Sequence, residues 1–357
     1  MRLSDFDYTL PPHLIAQKPL EPRHASRLMV VERATGRIAH RRFTDLPDSL
    51  RRGDVLVAND SRVIPARLFG RKETGGKMEL LLLKRLGDRT WEALAGGKRL
   101  NAGVRFRITG GDVTGRIVEV LEGGRRVVQF DRPLSPRLHD VGHTPLPPYI
   151  HEPLADPERY QTIFSRVEGS AAAPTAGLHF SAEMLLALRE KGVALEYVTL
   201  HVGLDTFKPV EVEEIEQHPI HSEWASLSAE TARRINQAKL AGGRVLAVGT
   251  TAVRALETAA LRSAGITGSL REASRLQTGL CPWRPVAAFE GQTDLYIYPG
   301  FRFRAVDMLL TNFHLPKSSL LMLVSAFGGP DLIRRAYKEA IAAEYRFYSF
   351  GDAMLVV

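Results

Sequence analysis

Val63–Arg85 reads VIPARLFGRKETGGKMELLLLKR, two runs of alternating apolar and polar residues around a glycine-bearing break. Four more runs of this kind follow: TWEALAGG (Thr90–Gly97), VRFRITGG (Val104–Gly111), VTGRIVEVLE (Val113–Glu122) and RRVVQFD (Arg125–Asp131). Alternation at period two marks strands with one buried face. The Gly, Asp, Asn and Thr at the breaks supply the positive φ angles and side-chain caps that tight turns need. Six short strands in succession, with no helical signal between them, predict a small closed β-barrel.

On either side the pattern changes. RLMVVE (Arg27–Glu32), Thr35-Gly36 and RIAHRRF (Arg37–Phe43) read as a hairpin, followed by a helix near Asp48 and the strand VLVAND (Val55–Asp60). After Pro145, strands such as VALEYVTLHVG (Val193–Gly203) and RVLAVG (Arg244–Gly249) alternate with helices. One helix is expected over Ser228–Leu240, capped by Ser228 and stopped by Gly242-Gly243; another follows Thr250, and two fill Ser318–Tyr345. The fold expected is a mixed-sheet α/β body, residues 1–62 and 145–357, with a six-stranded β-barrel inserted at 63–144. Gly265–Glu290, with weak periodicity and two prolines, reads as a surface loop or hinge in which Cys281 and Trp283 pack.

The totals set limits. Hydrophobic residues at 44% and charged residues at 25% of 357 are those of a globular chain and exclude disorder or a fibre. Cys281 is the sole cysteine, so one chain builds neither a disulfide framework nor a cysteine metal cluster. The apolar run Leu320–Phe327 is too short to span a bilayer, and Met1–Pro12 has no apolar signal core; a cytoplasmic monomer is expected. The net charge of +8 suits a polyanion, although along the sequence the surplus is dispersed.

Six polar turns on the body carry the chemistry. GSAAAPTAGLHF (Gly169–Phe180) lets backbone approach a ligand and supplies Thr175 and His179. TLHVGLDTF (Thr199–Phe207) ends a strand where ligands of α/β sheets bind, with His201, Asp205 and Thr206. HPIHSE (His218–Glu223) lacks the helical HExxH spacing, so no metal site is expected. AVGTTAVRALE (Ala247–Glu257) places Thr250 or Thr251 as helix cap, with Arg254 and Glu257 on one face; a bound anion or an exposed ion pair both fit. TNFHLPKSSLLMLVSAF (Thr311–Phe327) adds Asn312 and His314, and YRFYSFGDAML (Tyr345–Leu355) interleaves Arg346 and Asp352 with aromatics suited to base stacking or plain packing.

Together with FDYTLPPHLIAQKPLEPRHASRL (Phe6–Leu28), GDVLVANDSRVIPARLFGRKETGGKMELLLL (Gly53–Leu83) and YPGF (Tyr298–Phe301), these blocks resemble the S-adenosylmethionine:tRNA ribosyltransferase-isomerase family of queuosine biosynthesis. The resemblance runs in order from Leu3 to Leu355. Ala171 stands where the family usually has Val, Asp205 where it has Gly, and the region 262–289 is longer. The resemblance implies an α/β domain with an inserted barrel. It also implies transfer and isomerisation of the ribosyl part of S-adenosylmethionine onto a 7-aminomethyl-7-deazaguanine at the tRNA wobble position. Adenine and methionine leave, epoxyqueuosine forms, and S-adenosylmethionine is consumed as a substrate with no metal or further cofactor.

That chemistry asks for a base, a cation for the methionine carboxylate, and an aromatic face or carboxylate for the sulfonium. The residues expected to meet these demands are His179 or His201 for proton transfer, and Glu223 and Asp352 to orient a histidine or meet the sulfonium. Thr250, Thr251 and Arg254 are expected at the carboxylate, and Thr175, Asn312, His314 and Arg346 at the nucleobase and ribose. Arg62, Arg67, Lys72 and Lys77 are the cations expected at tRNA phosphates. Two other readings stand beside this one. An RNA methyltransferase would lack the glycine-rich first turn of its usual fold, and a non-catalytic tRNA-binding protein would leave the polar turns without work.

Overall fold

The computed structural model describes residues 1–203, 210–220, 222–271, 273 and 283–357. The chain forms two compact units, Met1–Ser61 with Pro148–Val167 and Ala173–Val357, and Arg62–Pro147 with Glu168–Ala172. Their classes are those expected: mixed α/β for the first and a closed six-stranded antiparallel barrel in the second.

Among its described residues, the first unit holds a nine-stranded sheet in the order 289–293, 223–227, 194–200, 55–59, 245–248, 308–312, 353–356, 27–31, 38–42. The four strands from 194–200 to 308–312 run parallel, and 223–227 and 353–356 run against them at the two borders. Val55–Asn59, Val245–Val248, Met308–Asn312 and Ala353–Val356 are buried at every position, as strands covered on both faces must be. Their alternate residues feed two cores. Val55, Val57, Val245, Ala247 and Leu309 pack under helices Ala229–Leu240, Thr250–Ser263, Ser319–Gly328 and Pro330–Ala342. Leu56, Ala58, Leu246, Val248 and Leu310 pack on the other face against Phe43, Phe180, Met184 and Leu188.

Local signals account for the helix boundaries. Ser228 and Ser318 accept hydrogen bonds from Thr231 N and Leu321 N, at 3.1 and 3.2 Å, and start their helices. The helix expected near Asp48 is instead a 3-10 turn, Phe43–Ser49, because Pro47 inside it has no N–H to donate. Gly249, at φ 85°, holds the cap position before Thr250, so neither threonine is the cap; a β-carbon would be strained in that conformation. Three strands of the body sheet escaped the sequence reading: Glu223–Leu227, which begins on the last residue of HPIHSE, and two more. Phe289–Thr293 is an edge strand beginning inside the stretch read as a loop, and Ala353–Val356 lies within the sheet rather than in a binding turn. Trp283 is 75% exposed, against the packed place expected for it, while Cys281 lies outside the described residues.

The barrel strands are Arg67–Lys72, Lys77–Arg85, Thr90–Gly96, Arg105–Ile108, Thr114–Val120 and Arg125–Phe130. Arg67–Lys72 pairs with both Lys77–Arg85 and Arg105–Ile108, which closes the ring. Leu68, Leu80, Leu82, Trp91, Phe106, Ile117, Val128 and Phe130 are buried. At the closing seam a β-carbon on Gly70 would lie 2.7 Å from the Arg107 carbonyl oxygen, so only glycine fits there.

Candidate active site at the carboxyl ends of the parallel strands

Strand direction alone gathers most of the chemistry on one edge of the body sheet. Strands 55–59, 194–200, 245–248 and 308–312 end there at Asn59, Leu200, Val248 and Asn312, and the antiparallel strands 223–227 and 353–356 begin there at Glu223 and Ala353. With neighbouring strands about 4.8 Å apart, the ends of strands 194–200 and 308–312 are roughly 14 Å from one another.

Asn59 stitches the middle of this edge. Its Nδ2 donates to Leu200 O at 2.9 Å and Thr251 Oγ1 at 3.2 Å, and its Oδ1 accepts from Leu200 N and Ser61 N at 3.0 and 3.1 Å. Asp60, buried, accepts from Thr199 Oγ1 and Arg166 Nη2, both at 2.7 Å. The sequence pattern marks VLVAND only as a strand and gives Asn59 and Asp60 no role; their place at its end was the signal to follow.

The two histidines expected to move protons sit in opposite circumstances. His179 is 5% exposed and stacks on Phe43 with ring centroids 5.1 Å apart. Its Nε2 accepts from Asn312 Nδ2 at 3.2 Å, which leaves the proton on Nδ1 to be donated to Ser26 Oγ at 2.9 Å. Asn312 is fixed in turn by donating to Tyr348 O at 3.2 Å and accepting from Thr175 Oγ1 at 3.1 Å. Both nitrogens of His179 are therefore engaged inside the protein. His201 is half-buried and stacks on Trp224, centroids 5.1 Å apart and planes 17° from parallel. Its Nδ1 has no hydrogen-bond partner among the described residues. Burial pushes its pKa down, with the Asp60 carboxylate pulling the other way, so the ring is neutral at pH 7 and able to accept a proton.

The other expected residues are mostly bound within the protein. Arg254 and Glu223, both buried, form an ion pair through Nη1 and Oε2. Arg254 also donates to Leu295 O at 3.1 Å and Thr293 O at 3.4 Å, and Glu223 Oε1 accepts from Gly203 N at 2.8 Å. Glu257 is no partner of Arg254. It is wholly buried and accepts from the backbone N–H groups of Arg304, Ala305 and Val306 at 2.9–3.0 Å, which corrects the exposed-pair reading. Asp352 accepts from Arg27 N at 2.9 Å, the Arg27 guanidinium at 3.2–3.3 Å and Arg346 N at 2.8 Å. His314 Nε2 lies 2.7 Å from Thr311 Oγ1, and burial pushes the imidazole down to about 3. Arg346 Nη2 donates to Lys18 O, while Nη1 is buried without a partner among the described residues. Thr250 is buried, and Thr175 and Thr251 are half-buried, with their hydroxyls bonded to Asn312 and Asn59. Arg62, Arg67, Lys72 and Lys77 all lie in the barrel unit, where Arg67 pairs with Glu79 at 3.3 Å and Lys72 Nζ donates to Lys98 O at 2.9 Å. Asp205, Thr206 and His221 fall outside the described residues.

The enclosure of His179 has a measurable consequence. Burial, with Arg346 adding to it, pushes its pKa to about 3 from the ordinary 6.5. Between those values the unfolded chain binds a proton that the folded chain does not. The stability contributed by the neutral ring is therefore complete above about pH 6.5 and falls by about 1.4 kcal/mol per pH unit as acid approaches pH 3. Urea midpoints should drop on going from about pH 7 to pH 5, and His179→Gln should flatten that drop. An unchanged slope in the variant would show that His179 is not held neutral.

Comparison with known proteins gives a consistent picture. Residues 3–356 match the family described as queuosine biosynthesis protein. Proteins named S-adenosylmethionine:tRNA ribosyltransferase-isomerase from Symbiobacterium thermophilum and Desulfitobacterium hafniense are 55% and 51% identical to this chain, each over 361 aligned residues and 100% of both chains. The one from Desulforamulus reducens is 49% identical over the same extent. Among solved structures, S-adenosylmethionine tRNA ribosyltransferase from Thermotoga maritima is 37% identical, with 99% of this chain and 100% of that one covered and a TM-score of 0.54.

Proposed function

The chain belongs to the queuosine biosynthesis protein family and is an enzyme of the S-adenosylmethionine:tRNA ribosyltransferase-isomerase class, and on that premise we propose how its site serves the reaction. The ribosyl part of S-adenosylmethionine is transferred to the aminomethyl group of 7-aminomethyl-7-deazaguanine at the tRNA wobble position and isomerised. Adenine and methionine are released and epoxyqueuosine is left in the tRNA. S-adenosylmethionine is consumed as a substrate, no cofactor takes part, and the enzyme works in the cytoplasm as a monomer.

His201 takes the proton next to the sulfonium. The observation that supports this is its neutral, half-buried ring, whose buried Nδ1 has no hydrogen-bond partner among the described residues, set at a strand end next to Leu200, which Asn59 holds. A base that is unprotonated at working pH and not already hydrogen-bonded is what proton abstraction needs. His179, Asn312 and Ser26 act as positioning residues that hold the turn bearing Thr175. The half-buried Thr175 and Thr251 contact the nucleoside, and the first turn of helix Thr250–Ser263 favours the methionine carboxylate. Glu223 with Arg254, and Asp352 with Arg27, fix the backbone that carries these groups rather than touching substrate.

Isotope transfer tests the reaction. S-adenosylmethionine labelled in the ribose carbons should pass its label to tRNA carrying the aminomethyl base, whereas methyl-labelled S-adenosylmethionine should not. Methyl label arriving in the tRNA would overturn the proposal in favour of methyl transfer.

A further inference from the structure

The positive charge that is dispersed in the sequence is concentrated in space. Arg62–Pro147 with Glu168–Ala172 hold 17 Lys and Arg against 10 Asp and Glu, a net of +7 out of +8 for the whole chain. The α/β body is thus nearly neutral, and the polyanion-binding character of the protein belongs to the barrel unit.

Within the barrel the cations are arranged at the expense of the sheet. On the outward face of three adjacent strands, Arg71 stands directly opposite Arg107, and Arg105 directly opposite Arg116. All four are exposed, while Phe106 and Ile108 between them point inward. Like charges directly across a strand pair repel, and a sheet under no other demand avoids them. Arg71, Arg105 and Arg116 have no carboxylate partner among the described residues; Arg71 donates to Gly75 O and Arg116 to Gln129 Oε1. Arg107 lies 3.6 Å from Asp112. The four arginines and Lys72 line a groove of about 550 Å³ that also includes Glu73 and Asp131. Phe69, 41% exposed, is on the outward face of the strand that carries Arg71.

We propose that this groove is an RNA phosphate-binding surface, in which Arg71, Arg105, Arg107 and Arg116 take successive backbone phosphates of the tRNA substrate. The partner is RNA because the proposal rests on the tRNA-modifying activity above, and because paired arginines repelling one another are relieved by a polyanion that neutralises each of them. Arg67, anchored to Glu79, and Lys77 outside the groove are thereby secondary to Arg105, Arg107 and Arg116, which motif reading did not single out.

The test is binding of the full chain to an unmodified tRNA transcript across a salt series. It compares wild type, an Arg71→Gln, Arg105→Gln, Arg116→Gln variant, and a control in which Lys84, Arg85 and Arg137, exposed and outside the groove, become Gln. For the groove variant, affinity near 0.1 M salt should fall at least about tenfold, and the slope of log K against log salt should shrink by about two to three. Its thermal midpoint should be unchanged or raised, since repulsion is removed, so lost binding is not lost folding. The control should stay within about threefold of wild type.

Equal losses in the two variants, or a groove variant binding with the wild-type slope, would overturn the proposal while leaving ribosyl transfer intact. A wild-type chain that transfers ribosyl label yet binds tRNA without salt dependence would overturn it as well. Failure of label transfer with salt-dependent, groove-dependent tRNA binding would instead strike the reaction and support the surface.

Discussion

Arg254→Ala is expected to cost about 3–5 kcal/mol of folding stability, because it takes the Arg254 guanidinium away from the buried Glu223 carboxylate. The pair lies where strand 223–227 enters the site edge, and Glu223 also receives the Gly203 N–H, so the turn after His201 depends on it. Removing both charges together should hurt less than removing one. Arg254→Met with Glu223→Leu loses the attraction and the desolvation penalty at once, and should recover most of the loss. Urea denaturation of the two singles and the double completes the cycle. Singles near wild type would mean that Arg254 has another partner for its charge and is free to meet substrate.

His201→Ala should behave in the opposite way. With no hydrogen bond at Nδ1 among the described residues, the ring contributes to the fold mainly by stacking on Trp224, worth about 0.5–1.5 kcal/mol. Turnover should nevertheless fall by about 10²–10⁴-fold, the usual contribution of a positioned base, with the Michaelis constant for S-adenosylmethionine little changed. Near-normal turnover by the folded variant would remove His201 from the proton-transfer step. A matching loss in His179→Ala, accompanied by lower stability, fits the structural role given to that ring.

The barrel was legible because its signal is local. Alternation such as Leu68–Gly70 and Phe106–Ile108, and the glycines between runs, are readable without knowing any partner strand. Helix starts at Ser228 and Ser318 are legible for the same reason, since the cap lies three residues from the N–H it receives. Ala353–Val356 was not, because four apolar residues become a strand only when Met308–Asn312 and Arg27–Val31, far away in sequence, close on both sides.

At the site, residue type was readable but circumstance was not. His179 and His201 both stand in polar segments of the sequence, one after a Gly/Ala-rich turn and one at a strand end. Only the tertiary placement of Ser26 and Asn312 closes the first, and only the lack of a partner among the described residues opens the second. Arg254 and Glu257 lie three apart on one helix, yet each is claimed by a distant segment, Arg254 by Glu223 and Glu257 by residues 304–306. The charge told a similar story, since seven of eight net positive charges converge on a unit whose strands are separated by ordinary, mixed-sign turns.

The most direct measurement is mass spectrometry of the products formed from S-adenosylmethionine and tRNA bearing 7-aminomethyl-7-deazaguanine. The expected result is epoxyqueuosine in the digested tRNA, with adenine and methionine released in equal amounts. S-adenosylhomocysteine with a methylated base, or S-adenosylmethionine left unconsumed by folded enzyme that binds the tRNA, would contradict it.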